Sequence, residues 1–232
     1  MSTVGQCAEN GAGQLELALQ AAAPLDGDGD PLVVSWDGVT VPLREPAPKR
    51  GRPAERPMAT DTPTAPTAWK EAGVGMVATY LTPLDPETEE PARVDVRYSA
   101  RMPEAKMETL VNGLVDQTAR ALQQGCFYHR VVLADGKREI WRLVDEHSVF
   151  DGFIRILDFY HAAGLIISSG PVEAAAKTIV GHRLKRSGMR WTRQGGQQIL
   201  NLRVLVQSKR WDAFWNWYLH QTTPIETDRV AA

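Results

Sequence analysis

His129-Arg130-Val131-Val132-Leu133-Ala134-Asp135-Gly136 places a short apolar run ahead of an acid, and Phe153-Ile154-Arg155-Ile156-Leu157-Asp158 repeats the pattern. Both read as buried strands with a carboxylate where the chain leaves the sheet. Between them Arg138 to Glu146 has the length and spacing of a helix. Beyond them Ser168-Ser-Gly-Pro-Val-Glu173-Ala-Ala-Ala-Lys177 opens another helix with an acid in its first turn, and that helix runs on into basic sequence.

Upstream, Leu32-Val-Val-Ser-Trp-Asp37-Gly38-Val-Thr-Val-Pro42-Leu43 is a β-branched strand carrying an acid near its middle. Val74 to Leu81 and Arg93 to Tyr98 read as two further strands joined through a proline-rich acidic connection, so the first three strands predict a meander. Pro103 to Gln124 places Met107, Leu110, Val111, Leu114, Thr118, Ala121 and Leu122 at helical spacing, with Gly125 as a stop. The predicted order is β-β-β-α-β-α-β-α, an α/β fold. Downstream, Ile199 to Leu219 reads as a helical region whose Leu200, Val204, Leu205, Trp211, Phe214, Trp215 and Tyr218 favour helix packing over base stacking.

The chain has 232 residues, enough for one sizeable core. Its net charge of −2 conceals an asymmetry. No acid falls between Glu173 and Asp212, whereas Lys177, Arg183, Lys185, Arg186, Arg190, Arg193, Arg203, Lys209 and Arg210 all do. That segment is a candidate polyanion-binding surface, with His182 as a further phosphate contact. Cys7 and Cys126 form no C-x-x-C pair, which argues against a disulfide framework or thiolate zinc site and for a reducing, cytoplasmic setting. No apolar stretch approaches the ~20 residues that span a bilayer. Asp26-Gly-Asp-Gly-Asp30 lacks the glutamate that a calcium loop carries at its twelfth position. Lys49-Arg50-Gly51-Arg52-Pro53, in a proline-rich loop over 44–67, has the core of a minor-groove AT-hook but reads first as a solvated basic linker.

Asp37-Gly38, Asp135-Gly136 and Asp151-Gly152 are each a turn signal taken alone. Their placement says more. One acid sits on the first strand, another leaves the fourth, and Glu173 starts a later helix. If those strands are neighbours, Asp37 and Asp135 converge and the helix lays Glu173 against them. Such a cluster suits one or two Mg²⁺ ions, since hard cations take oxygen ligands. A metal pair ~3.5–4 Å apart supports in-line displacement at phosphorus. His161, three residues after Asp158, reads as a local hydrogen-bonded partner before a metal ligand.

Several blocks together carry a family resemblance: Val34-Ser-Trp-Asp37-Gly-Val-Thr-Val-Pro-Leu, Trp69-Lys-Glu-Ala-Gly-Val-Gly, Ala100-Arg-Met-Pro-Glu-Ala-Lys, Val132-Leu-Ala-Asp135-Gly, Ile156-Leu-Asp158-Phe-Tyr-His161-Ala and Gly170-Pro-Val-Glu173 through Trp191. With the closing Ser208-Lys-Arg-Trp-Asp-Ala-Phe-Trp215, they resemble bacterial insertion-sequence transposases of the Kra family, within the Mutator-like DDE group. The resemblance implies an RNase H-like mixed sheet flanked by helices. It places a DDE triad on Asp37, Asp135 and Glu173, and the D-x-x-H signature on Asp158 and His161.

It further implies two Mg²⁺ ions, with Mn²⁺ as a substitute, for strand cleavage and 3′-hydroxyl transfer. The partners are double-stranded DNA at element ends and target, and other copies of the chain assembled on that DNA, with the protein at the nucleoid and no membrane. Lys177, His182, Arg183, Lys185, Arg186, Arg190 and Arg193 are the expected DNA contacts. The expected organisation is a flexible segment over 1–30, a catalytic domain over 31–176, a basic helical region over 177–220 and a tail over 221–232.

Relative to the group, the chain reads as shortened at its N-terminus. It also lacks most of the helical insertion before the glutamate, since only Ala162 to Val172 separate His161 from Glu173. Those residues still reach ~35–40 Å fully extended. Two other functions fit the same sequence: a catalytically inactive DNA-binding protein derived from a transposase, and an RNase H-like nuclease that cuts branched DNA.

Overall fold

The computed structural model describes residues 2–10, 14–15, 18–19, 21, 25, 29–44, 68–81, 92–157, 170–186 and 189–222. The AT-hook-like segment, the acidic connection after Leu81, and Asp158 and His161 lie outside them.

Five strands form one mixed sheet in the order β3-β2-β1-β4-β5. β1 (Leu32–Leu43), β2 (Ala68–Leu81) and β3 (Ala92–Arg101) make the expected antiparallel meander. The chain then crosses through α2 (Glu108–Gln124) to β4 (Arg130–Ala134), which pairs parallel to β1. It crosses again through α3 (Arg138–Glu146) to β5 (Ile154–Leu157), parallel to β4. Parallel neighbours need such crossovers because a hairpin cannot return the chain in the same direction.

Alternation along β1 sorts the core into two layers. Leu32, Val34 and Trp36 pack with Leu110 and Leu114 of α2, Ile140 and Val144 of α3, and Phe150. Val33, Val39, Val41 and Leu43 turn to the opposite face, against Val172, Ala175, Ala176, Ile179 and Val180 from the second helical layer and Leu200 beyond it. Helices therefore cover both faces. α2 lies close to the sheet because Gly73 and Gly75 leave it room: a Cβ on either would stand 2.6 Å from a methyl of Leu110 or Leu114.

The second helical layer starts with α4 (Gly170–Ala175), continues as a π-helical stretch (Ala176–Gly181) and ends in the turn α5 (His182–Leu184). Residue 177, the expected start of a separate basic region, falls inside this continuous helix. α6 (Arg193–Gln207) follows, opened by Thr192, whose hydroxyl accepts the Gly195 N–H at 3.1 Å.

Three expectations change. The expected helical region from Ile199 to Leu219 is two helices, α6 and α7 (Trp211–Thr222), divided where Lys209 takes a left-handed φ of 54°. The helix expected from Pro103 begins at Glu108, after a 3₁₀ turn at Ala105–Met107 in which Lys106 and Met107 both have φ 53°. The N-terminal segment expected to be flexible contributes α1 (Ser2–Asn10), because its apolar side chains find a partner: Ala8, Leu15 and Leu19 are buried against Leu205 and Phe214. Glu9 fixes that contact, accepting from Arg101 at 3.0 Å and from Asn201 at 2.6 Å.

Candidate active site

β4 is much shorter than the strand beside it. Its pairing with β1 ends at Ser35 and Leu133, and the next chain to bond that side of β1 is Trp191, which exchanges backbone hydrogen bonds with Pro42 and Arg44. Among the described residues this leaves a notch along the middle of β1. Asp37 and Asp135 each stand two residues past the last pair, so the parallel register sets them at the same level on the notch's floor and lip. By alternation both belong to the face on which α4 packs, which also carries Glu173. The adjacency of β1 and β4, the condition on which the expected convergence of Asp37 and Asp135 rests, is present.

Each carboxylate has a partner. Asp37 Oδ1 accepts the Gly38 N–H at 2.7 Å. Asp135 Oδ1 accepts the Lys137 N–H at 2.9 Å, and the Lys137 ammonium stands 3.5 Å from Oδ2. Glu173 Oε1 lies 3.1 Å from Lys177 Nζ, one helical turn on. Oxygen donors in this pattern suit a hard divalent cation, and ammonium groups hold two of them. Among the described residues no three Asp, Glu, His or Cys side chains form a group able to hold a metal ion. Asp37 and Asp135 would supply the first ligands, and Glu173 would have to exchange Lys177 for the cation.

Two residues at the notch carry no role in the sequence reading. The Glu71 side chain folds over Gly38, where a Cβ would stand 1.9 Å from Oε1. With any larger residue at position 38 the Glu71 side chain would have to move. Glu71 Oε1 then accepts from Lys137 Nζ at 2.7 Å, so Lys137 joins Glu71 to Asp135. Burial works against the charge on Lys137, but the hydrogen bond to Glu71 and the charges of Glu71 and Asp135 outweigh it and raise its pKa above the ordinary lysine value. The signal was faint: Glu71 stands in the Trp69–Gly75 block, and Lys137 two residues after Asp135.

The expected DNA contacts divide into two groups. His182, Arg183, Lys185, Arg186 and Arg190 are exposed where the second helical layer ends, a basic patch beyond Glu173. Lys177 is exposed but engaged with Glu173, and the Arg193 guanidinium donates to the Pro103 carbonyl. Arg203, on α6, donates to the Thr178 carbonyl in the π-helical stretch. Burial and the neighbouring charge of Arg183 both push its pKa below the ordinary arginine value.

Among the described residues no helix is long and apolar enough to cross a membrane. Neither a protein-family model nor a curated protein matches the chain.

Proposed function

We propose that the protein is a metal-dependent DNA strand-cleaving and strand-transferring enzyme of the DDE transposase type, acting on the ends of an insertion sequence. One observation carries the reading: the parallel register of β1 and β4 brings Asp37 and Asp135 level beside an open notch, on the face where the helix bearing Glu173 packs. The five-stranded order, with an antiparallel meander followed by two parallel strands, supports an RNase H-like fold. The exposed basic residues beyond Glu173 support DNA as the polyanion.

A Mg²⁺ or Mn²⁺ ion held by Asp37 and Asp135 would supply activation of a water or 3′-hydroxyl and stabilisation of the oxygen leaving phosphorus. The chain's own part is to hold hard oxygen donors at the notch and keep the DNA backbone beside them. Asp37 and Asp135 do the first. His182, Arg183, Lys185, Arg186 and Arg190 do the second, with Lys177 joining them once Glu173 is released.

The test is nicking of a duplex that carries the element end, with Mg²⁺ or Mn²⁺ present. Cleavage by the wild type and its loss in Asp135→Ala and in Glu173→Gln, both folded by circular dichroism, is the expected outcome. Wild type and variants that behave alike overturn catalysis. That no three acidic, histidine or cysteine side chains among the described residues form a metal-holding group favours a second reading, a DNA-binding protein without catalysis. Salt-sensitive DNA retention with no metal-dependent cleavage selects it. Cleavage of branched DNA that needs no element end selects an RNase H-like nuclease.

A further inference from the structure

At the start of β2 the indole of Trp69 is 60% exposed, and nothing in the proposed chemistry uses it. The register of three neighbouring segments shows what stands beside it. Trp69 pairs with Pro42 of β1. On the other side of β1 the chain at Trp191 runs parallel to it, bridged to Leu43 and bonded to Pro42 and Arg44. Leu43 and Trp191 both pack in the layer with Val172 and Ile179, so Pro42 and Arg190, one residue back on each segment, turn to the other face. Trp69, Pro42 and Arg190 therefore form one row across the sheet, and Arg44, two residues after Pro42, belongs to the same face. Pro42 is buried, whereas Trp69, Arg44 and Arg190 are exposed.

The nearest acid on this face of β2 is Glu71, and Lys137 holds it at 2.7 Å. Lys70 alternates to the other face and has an interaction of its own, so the positive charge here is that of the two arginines. Guanidinium groups attract phosphates, and an indole offers a flat surface to any base that is not already stacked inside a duplex. Together they fit single-stranded DNA. The row lies where Trp191 rejoins β1, five residues or roughly 17 Å along the strand from Asp37. Asp37 and Trp69 are on opposite faces, but the notch gives a passage between them: Lys137 reaches Asp135 on one side and Glu71 on the other.

We infer that Trp69, Arg44 and Arg190 bind an unpaired stretch of DNA, with a base stacked on the Trp69 indole and the flanking phosphates on the two guanidinium groups. The choice of DNA rests on the proposed function, in which a cut strand leaves the notch. The stacking site rests on the row alone.

The experiment is fluorescence anisotropy with a short labelled oligothymidine, and separately with a blunt duplex, over a range of salt concentrations in EDTA so that no cleavage occurs. Trp69→Ala should weaken oligothymidine binding by roughly fivefold to a hundredfold with its salt dependence unchanged, and Trp69→Phe, which keeps a ring, should recover part of the loss. Arg44→Gln and Arg190→Gln should each flatten the slope of log K against log salt by about 0.7. The duplex should bind Trp69→Ala as it binds the wild type. Tyr128, 90% exposed at the far end of β1, where Leu32 pairs with Arg130, is the control, and Tyr128→Ala should change nothing. Thermal melts check that each variant is folded.

Failure of the oligothymidine to bind the wild type overturns the site. So does binding unchanged in Trp69→Ala, no recovery in Trp69→Phe, slopes unchanged in both arginine variants, or an equal loss in Tyr128→Ala or with the duplex. A protein that gives the expected pattern and nicks no DNA with Mg²⁺ keeps this inference and loses the proposed catalysis. One that nicks element ends while Trp69→Ala binds oligothymidine like the wild type does the reverse.

Discussion

Along the outer side of β3, side chains of α6 and the residue after it do the work of a missing strand. Gln197 accepts the Met102 N–H at 2.8 Å and donates to the Ala100 carbonyl at 3.0 Å, and Ser208 accepts the Tyr98 N–H at 2.9 Å. Along β1 beyond Ser35 the sheet does the opposite. β4 stops, Trp191 returns only at the level of Pro42 and Arg44, and among the described residues the backbone between them has no strand on the side away from β2. An uncovered strand edge invites unwanted pairing, so proteins cover it where it has no use. The outer side of β3 is covered from Tyr98 to Met102, whereas β1 past Ser35 is open beside Asp37.

The largest effect is expected at the open side. Asp37→Asn keeps the hydrogen-bond acceptor for Gly38 but removes a charge. It should cut metal-dependent nicking by at least about a hundredfold in a plasmid-relaxation assay while leaving the melting temperature unchanged or higher. A variant that loses both activity and stability would make Asp37 a structural residue. On the sealed side, Gln197→Ala removes two bonds to the β3 backbone. It should destabilise the fold by about 1–3 kcal/mol in urea denaturation and promote association through the bared edge, visible by light scattering. Thr192→Ala removes the cap of the helix that carries Gln197 and should cost about 1 kcal/mol by the same measurement.

The smallest effect lies at the start of β1. There Asp30 accepts from the His129 N–H and lies 2.8 Å from its ring nitrogen. Burial would raise the Asp30 pKa, but the hydrogen bonds and charge of His129 outweigh it and lower it below 3.8. A depressed carboxylate contributes stability that is present above its unfolded pKa and is lost as pH falls through the folded one. The stability gap between wild type and Asp30→Asn should therefore hold near neutrality and narrow below pH 3.8. A gap that stays constant to the lowest pH would remove the Asp30 carboxylate and its bonds to His129 from the account.

Much of the sheet was legible because its signals are local. The apolar runs of β1 and β4 and the periodicity of α2 are written in consecutive residues, and Gly125 marks the end of α2 with its N–H on the Ala121 carbonyl. The division between α6 and α7 was hidden because no glycine or proline marks it; Lys209 takes the left-handed conformation itself, and Trp211 continues the apolar pattern. The docking of α1 was hidden because its small side chains carry little periodic signal and its partners lie near the other end of the chain. At the site, the level placement of Asp37 and Asp135 followed once β1 and β4 were taken as neighbours. Glu71 and Lys137 escaped because their meeting depends on the absence of a side chain at Gly38, a gap that no sequence period encodes.

The π-helical stretch after Glu173 sets a rotational phase. An α-helix turns ~100° per residue, so one residue more or less between two points swings them about the axis by more than a quarter circle. Glu173 lies before the wider coil and His182 and Arg183 after it. Removing a single residue from Ala176–Gly181 would restore regular winding and turn the acid and the basic end to different bearings. The length of that short stretch in residues therefore sets the bearing of His182 and Arg183 relative to Glu173.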